Sequence, residues 1–429
     1  MKKKILCILT FITAMTLSSC GNPNKGTSES EKESESNIQT TYYSNGMDNA
    51  VNTTIAELLK FGDLNGAKGS TTVKSDTVYR ITGTVQSPSN YTYGNFDITD
   101  ETGSILVWGL SANYTSLKEN NGKYTYTNDQ SFSKLSLKAG DVITIEGLYM
   151  AYIYSSGYFK PEFSGYILRK QTGYVEEIEG KNYTTQETYT GNYYDSVNNK
   201  KGNELLSGLH SLMLSTHKTY VSYDSLKSTL KSTDPYGTTG NAKCFYTGKN
   251  ASSFSREHVW CQSLSGSTSS SSTNLYGTTY GGSDIHHIRP VITSYNSQRS
   301  NAAFGIIYGP KEGMDYIPYE NGQKSYLTGS VFEPADIIKG DVARIVMYMY
   351  MHYSSQINND SSTYNFLGIM NIDFIMGPTS EEAWKVLRLW NANDPVSEDE
   401  KIRNEKAFQI QGNRNPFIDH PSYADAIWG

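Results

Sequence analysis

At 429 residues the chain is long enough for two or three domains, each able to bury a core. Its net charge of −6 and pI of about 5.7 exclude a protein that is basic overall. A phosphate-bearing partner would have to be held by a local basic patch or a metal. Tyrosine is abundant, at 34 residues, in a sequence rich in Ser, Thr, Asn and Gly, which fits a β-rich exported protein.

The N-terminus reads as an export signal. Lys2 to Lys4 form its charged part and Ile5 to Leu17 its apolar run, which is too short to span a bilayer. Leu17-Ser18-Ser19-Cys20 matches a lipobox. Residues 1–20 are therefore expected to be a lipoprotein signal peptide, with Cys20 lipidated and tied to the membrane at the bacterial cell surface. Residues 21–50 are expected to be a disordered tether, since their Ser, Glu, Lys and Asn cannot bury enough surface to order themselves.

Between 51 and 172 the sequence predicts a small β domain. Ile55 to Leu59 reads as a short helix, and Val78 to Val85 alternates as a strand does. Asn95 to Asp100 and Ser104 to Trp108 flank a Glu101-Thr102-Gly103 turn and form a hairpin. Lys138 to Asp141 turns into a strand from Val142 to Tyr149, and a last strand covers Phe163 to Leu168. About five strands with a Gly inside the first is the pattern of a small closed barrel, and the stretch resembles an OB-fold. Tyr91, Tyr93, Phe96 and Trp108 are candidates for stacking on bases, with Phe96 and Trp108 reading equally as core. Few basic residues lie in this domain, which weakens a nucleic-acid role for it. Residues 173–194 read as a linker.

The last domain is expected over 195–429. Leu205, Leu206, Leu209, Leu212 and Met213 place an amphipathic helix over Gly202 to His217, on which His210 and His217 read as surface or packing residues rather than ligands. Tyr223 to Leu230 predicts a second helix, ended near Asp234-Pro235. Arg256-Glu257-His258-Val259-Trp260 reads as a strand. Neighbouring strand side chains face opposite ways, so Glu257 and His258 serve one pocket only where the strand bends, ends or bulges. A Gly, Ser and Thr rich excursion follows from Ser263 to Ser283. Asp284 to Ile288 predicts a second strand, broken by Pro290; Ser294 is expected to cap a helix that carries Asn296, Arg299 and Ser300 on one face and ends at Gly305. Three of the seven histidines lie in this stretch, and its two ends also carry Glu257, Asp284, three arginines, Asn296 and Asn301. That inventory offers a base, hard oxygen ligands for a cation and donors for a phosphate, the parts of a metal-dependent phosphodiesterase.

Arg256 to Trp260, Asp284 to Pro290, Asn296 to Gly305 and the tail Asp394 to Pro421 together resemble the bacterial endonuclease I family of His-Me finger nucleases. The resemblance runs from about Asn203 to Pro421 in the family's order and leaves the N-terminal half outside. It implies a ββα-metal finger with His258 as general base, Glu257 and Asn296 holding one Mg²⁺ (Mn²⁺ or Ca²⁺ as alternatives), and 5′-phosphate products. Arg299 is read as a grip on phosphate, against a helix-surface salt bridge. The family can place a further arginine between the two strands; here that role falls to Arg256 or Arg289. Asp284, His286 and His287 are expected to orient the site, with Asn301 beside them. Cys244 and Cys261 stay open as a disulfide or two thiols. The family's usual Pro at the position of Cys261 slightly favours the bridge.

Past the finger, Pro334 to Tyr353 predicts a long helix buried through Ile338, Val342, Ile345, Val346 and Met349. Thr379 with Glu382 and Ser397 with Glu400 are capping boxes, and Gly412 closes the latter helix. Arg414 lines a DNA groove or locks the tail; Asn413 and Asn415 read as structural. The expected whole is α+β: a small OB-like barrel, then a mainly helical nuclease domain. Its expected role is that of a monomeric, surface-anchored, sequence-nonspecific endonuclease acting on DNA, with RNA an open alternative. A non-catalytic binding lipoprotein is the second reading. A zinc hydrolase built on His258, His286 and His287 is disfavoured, because adjacent histidines on a strand point apart.

Overall fold

Alternation in the N-terminal half builds a barrel. The computed structural model describes residues 40–64, 70–86, 93–171, 185–261, 280–309, 311–329, 331–353 and 380–429. Within these, strands Tyr79–Val85, Asn95–Asp100, Gly103–Ser111, Val142–Ile153 and Phe159–Gln171 pair in a closed circle. The first three run antiparallel in sequence, the third meets the fifth in parallel, and the fourth closes the ring against both fifth and first. Phe96, Ile98, Val107, Ile145 and Phe163 fill the interior. The two long strands cross at Gly147 and Gly165: a Cβ on either would lie 2.0 or 1.9 Å from the facing carbonyl, so only glycine allows the approach. Phe96 is core, whereas Trp108 and Tyr93 are about half exposed; Tyr91 lies outside the described residues.

The chain from Thr185 already belongs to the C-terminal core, not to a free linker. Tyr194 is buried and donates its hydroxyl to Asp419 Oδ2 at 2.7 Å, and Thr188 Oγ1 donates to the Ile418 carbonyl at 2.6 Å. The core gathers helices Gly202–Thr216, Asp336–Tyr353, Ser380–Asn393 and Glu398–Gln411. The expected buried face of Asp336–Tyr353 is present, and the remaining sides are largely buried too. The Ser397 and Glu400 capping box forms, and Gly412 ends that helix at φ 89°. The Thr379 box lies outside the described residues. Among the described residues no helix is long and apolar enough to cross a membrane.

Strands Ser255–His258 and Ile288–Val291 pair antiparallel, followed by helix Thr293–Arg299. Three boundaries differ from expectation. Asp284 to His287 is a turn, not a strand: the Asp284 carbonyl accepts from the amides of His287 and Ile288, and its Oδ1 from the His286 amide at 2.8 Å. Pro290 lies inside the second strand, opposite Arg256, which a two-stranded ribbon tolerates because each strand is an edge. The helix starts at Thr293 with Ser294 inside it, and stops at Ser300 (φ 51°) rather than Gly305.

The sequence reading missed a four-stranded sheet just after this helix, in the order Ala303–Phe304, Val331–Glu333, Lys324–Leu327, Asp315–Pro318. The barrel docks on the loops of this insertion. Gln86, fully buried, donates through Nε2 to the Tyr308 carbonyl (2.9 Å) and accepts from the Tyr308 amide (3.0 Å). Thr328 Oγ1 donates to Asp97 Oδ2 at 2.7 Å. Gly309, at φ 85°, sits where a Cβ would come within 2.7 Å of Thr84 Oγ1.

Candidate active site

Glu257 and His258 are adjacent at the end of their strand and face opposite sides of the ribbon. Glu257 is buried at 3 % exposure, and its Oε1 accepts from the Tyr246 hydroxyl (2.7 Å) and Arg299 Nη1 (2.9 Å). Burial pushes its carboxyl pKa up, opposed by the Arg299 charge and the Tyr246 bond. Asn296 stands one turn before Arg299 on the same short helix. Its Oδ1 is buried and has no hydrogen-bond partner among the described residues.

Arg299 itself is 1 % exposed. It gives Nη1 to Glu257 and the His258 carbonyl, Nη2 to the Val259 carbonyl, and lies over the Phe304 ring. That placement makes it the partner of Glu257. It is neither a surface salt bridge nor a solvent-facing clamp for phosphate.

On the other side, His258 Nε2 lies 3.2 Å from the Gly282 carbonyl, and its ring is nearly parallel to Tyr223, with centroids 6.2 Å apart. Burial pulls its pKa down to about 4, so the imidazole is neutral at ordinary pH and able to accept a proton. A carbonyl accepting from one ring nitrogen fixes the proton on that nitrogen. Arg256 shares this face, half-buried, with its guanidinium 3.7 Å from the Tyr223 centroid and Nη1 donating to the Tyr223 carbonyl at 2.7 Å. Tyr246, Tyr223 and the Gly282 carbonyl had no signal in the sequence; each reaches the site only through the fold.

The remaining candidates divide. His287 is buried with its ring 5.7 Å from that of His258. His286 turns away, its Nε2 3.0 Å from the Asn413 carbonyl. His258, His286 and His287 therefore do not form one ligand set. Asp284 is fully buried; Tyr348 and Tyr353 donate to Oδ2 and Gln411 to Oδ1. Burial would raise its pKa, but the neighbouring His217, His286 and His352 and the Tyr348 bond outweigh it and hold it well below the usual range. Arg403 anchors this turn by donating to the carbonyls of Ile285 and Ile288. Arg289 is taken up by Asp234 (3.1 Å) and stacks over Phe245, while Asn301 is exposed. Arg414 locks the tail through Asp419 and Glu405 rather than lining a groove. Cys244 and Cys261 are buried free thiols, so the bridge left open by the sequence is not formed. The 263–283 excursion lies mostly outside the described residues.

Comparison with known proteins gives the class of the chain: a phosphodiester hydrolase. A model of the endonuclease I family matches residues 185–422, and the chain belongs to that family. The extracellular ribonuclease of Bacillus amyloliquefaciens is similar, at 36 % identity over 262 residues, which is 56 % of this chain and 78 % of the relative. Endonuclease-1 of Buchnera aphidicola subsp. Baizongia pistaciae is 29 % identical over 135 residues, 32 % of this chain and 45 % of the relative. The extracellular deoxyribonuclease of Aeromonas hydrophila is 24 % identical over 140 residues, 32 % and 49 % of the two chains. The family match begins after the barrel.

Proposed function

We propose that this protein is an exported, metal-dependent endonuclease that cuts DNA, and RNA as well, without sequence preference. The observation that carries the reading is the buried Asn296 Oδ1, without a hydrogen-bond partner among the described residues, one turn from the arginine that holds Glu257. An amide oxygen left without a hydrogen bond is costly unless something else meets it. Among the described residues Glu257 takes its side-chain bonds from Tyr246 and Arg299 on Oε1, and Oε2 is the oxygen we assign to a ligand. One carboxylate and one amide oxygen suit a hard divalent cation such as Mg²⁺ that keeps several waters. When bound there, the cation supplies charge stabilisation at the phosphate and the departing 3′ oxygen.

His258 takes a proton from a water. The water oxygen bonds to phosphorus, and the bond from phosphorus to the 3′ oxygen breaks, leaving a 5′-phosphate. Arg299 and Tyr246 hold Glu257 in place throughout. We assign substrate contact to Arg256, a reading supported by its half-buried position on the His258 face. The relatives' names, an extracellular ribonuclease and an extracellular deoxyribonuclease, support secretion and tolerance of either sugar. The lipobox ending at Cys20 supports anchoring at the cell surface. The barrel's strand order supports an OB-like domain that is docked on the nuclease domain. The test is digestion of matched DNA and RNA with Mg²⁺, then with EDTA: cleavage of both is expected with the metal. Cleavage undiminished in EDTA would overturn the reading.

A further inference from the structure

Away from Glu257 and Asn296, three buried side chains from three separate segments converge. His217 caps the end of helix Gly202–Thr216, Asp284 opens the turn before the second finger strand, and His352 lies near the end of helix Asp336–Tyr353. Their exposures are 7, 0 and 0 %. His217 Nδ1 is 3.0 Å from His352 Nε2 and 4.0 Å from Asp284 Oδ2, and one donor atom from each residue falls within 4.8 Å of the others. Donors around a tetrahedral Zn²⁺ stand about 3.3 Å apart, from bonds of about 2.0–2.1 Å. The observed spacings bracket that value.

We infer that His217, Asp284 and His352 form a structural site for a transition-metal ion of the Zn²⁺ type, separate from the catalytic cation. Two imidazoles and a carboxylate are a borderline donor set, suited to zinc rather than to Mg²⁺ or Ca²⁺. The carboxylate is oriented by hydrogen bonds from Tyr348 and Tyr353 to Oδ2, the oxygen nearest His217, and from Gln411 to Oδ1. The outer nitrogens, His217 Nε2 and His352 Nδ1, meet no partner among the described residues, so each ring is directed by what it meets on its inner side. Full enclosure marks the site as structural: it would staple two core helices to the turn that leads into the finger.

The experiment is metal analysis of the purified full chain after dialysis against Mg²⁺ buffer, followed by loading with Zn²⁺ or Co²⁺ alone. About one equivalent of zinc per chain is expected to persist. X-ray absorption should show only nitrogen and oxygen donors at about 2.0–2.1 Å with imidazole scattering. His217→Ala and His352→Ala should each lose the ion, while Glu257→Gln keeps it, which separates this site from the catalytic one. Zinc that never exceeds a tenth of an equivalent on loading, sulfur donors in the absorption spectrum, or an ion lost in Glu257→Gln would each overturn the inference. The absorption measurement uses the unmodified protein and stands even where a histidine variant fails to fold.

Discussion

Arg299 and Glu257 form a buried ion pair at 2.9 Å, and that pair joins helix Thr293–Arg299 to strand Ser255–His258. Removing one partner of a buried pair strands the other charge, which costs about 3–5 kcal/mol. Arg299→Ala should lower stability by that order and abolish cleavage together. Unfolding in denaturant beside a rate measurement checks it. A variant of unchanged stability that loses only substrate affinity would return Arg299 to the role of phosphate grip.

Asn296 is the opposite case. Among the described residues its oxygen meets no protein group, so Asn296→Leu removes an unsatisfied buried acceptor and should leave stability unchanged or higher. Activity should fall about 100-fold or more at fixed Mg²⁺, in the range of lost electrostatic stabilisation. Asn296→Asp, which keeps an oxygen, should recover part of it as Mg²⁺ is raised. Titration of rate against Mg²⁺ for both variants is the measurement.

The strands of the barrel and the helices of the core were legible, because alternation, helical spacing and capping are local signals. Arg299 was not. Its orientation on a seven-residue helix depends on Phe304 and Glu257, which only the folded chain brings near. Pro290 read as a breaker because strand propensity says nothing of ribbon edges. His217 read as packing because its neighbours, Asp284 and His352, are distant in sequence. The docking of Gln86 on Tyr308 spans more than 200 residues and leaves no periodic trace.

That docking yields a prediction of its own. Gln86→Ala removes the side-chain bonds to the Tyr308 amide and carbonyl, of which the carbonyl keeps the longer bond from Thr99 Oγ1 (3.3 Å), a cost of about 1–3 kcal/mol. Proteolysis between the barrel and the core should accelerate, with the rate of phosphodiester cleavage little changed. Proteolysis as slow as in the unmodified protein would show that the clamp does not hold the domains.

Asp341 gives the protein a pH dependence. Burial, then the nearby Glu400 charge, push its pKa up to about 8 from the usual 3.8, against Arg289 and Arg344. The folded chain therefore holds a proton that the unfolded chain releases between about pH 4 and 8, and this contribution to stability is lost as pH rises through that window. Asp341→Asn removes the dependence. Its melting temperature, relative to the unmodified protein, should climb from about pH 5 to about pH 9. A difference that stays flat across that range would contradict the assignment.

The account rests most directly on His258. Cleavage of a plasmid at saturating Mg²⁺ should be compared for the unmodified protein and His258→Ala, with equal folding shown by circular dichroism. Loss of a general base predicts a fall of about 10²–10⁴-fold in the cleavage rate. Equal rates for the two proteins would contradict it.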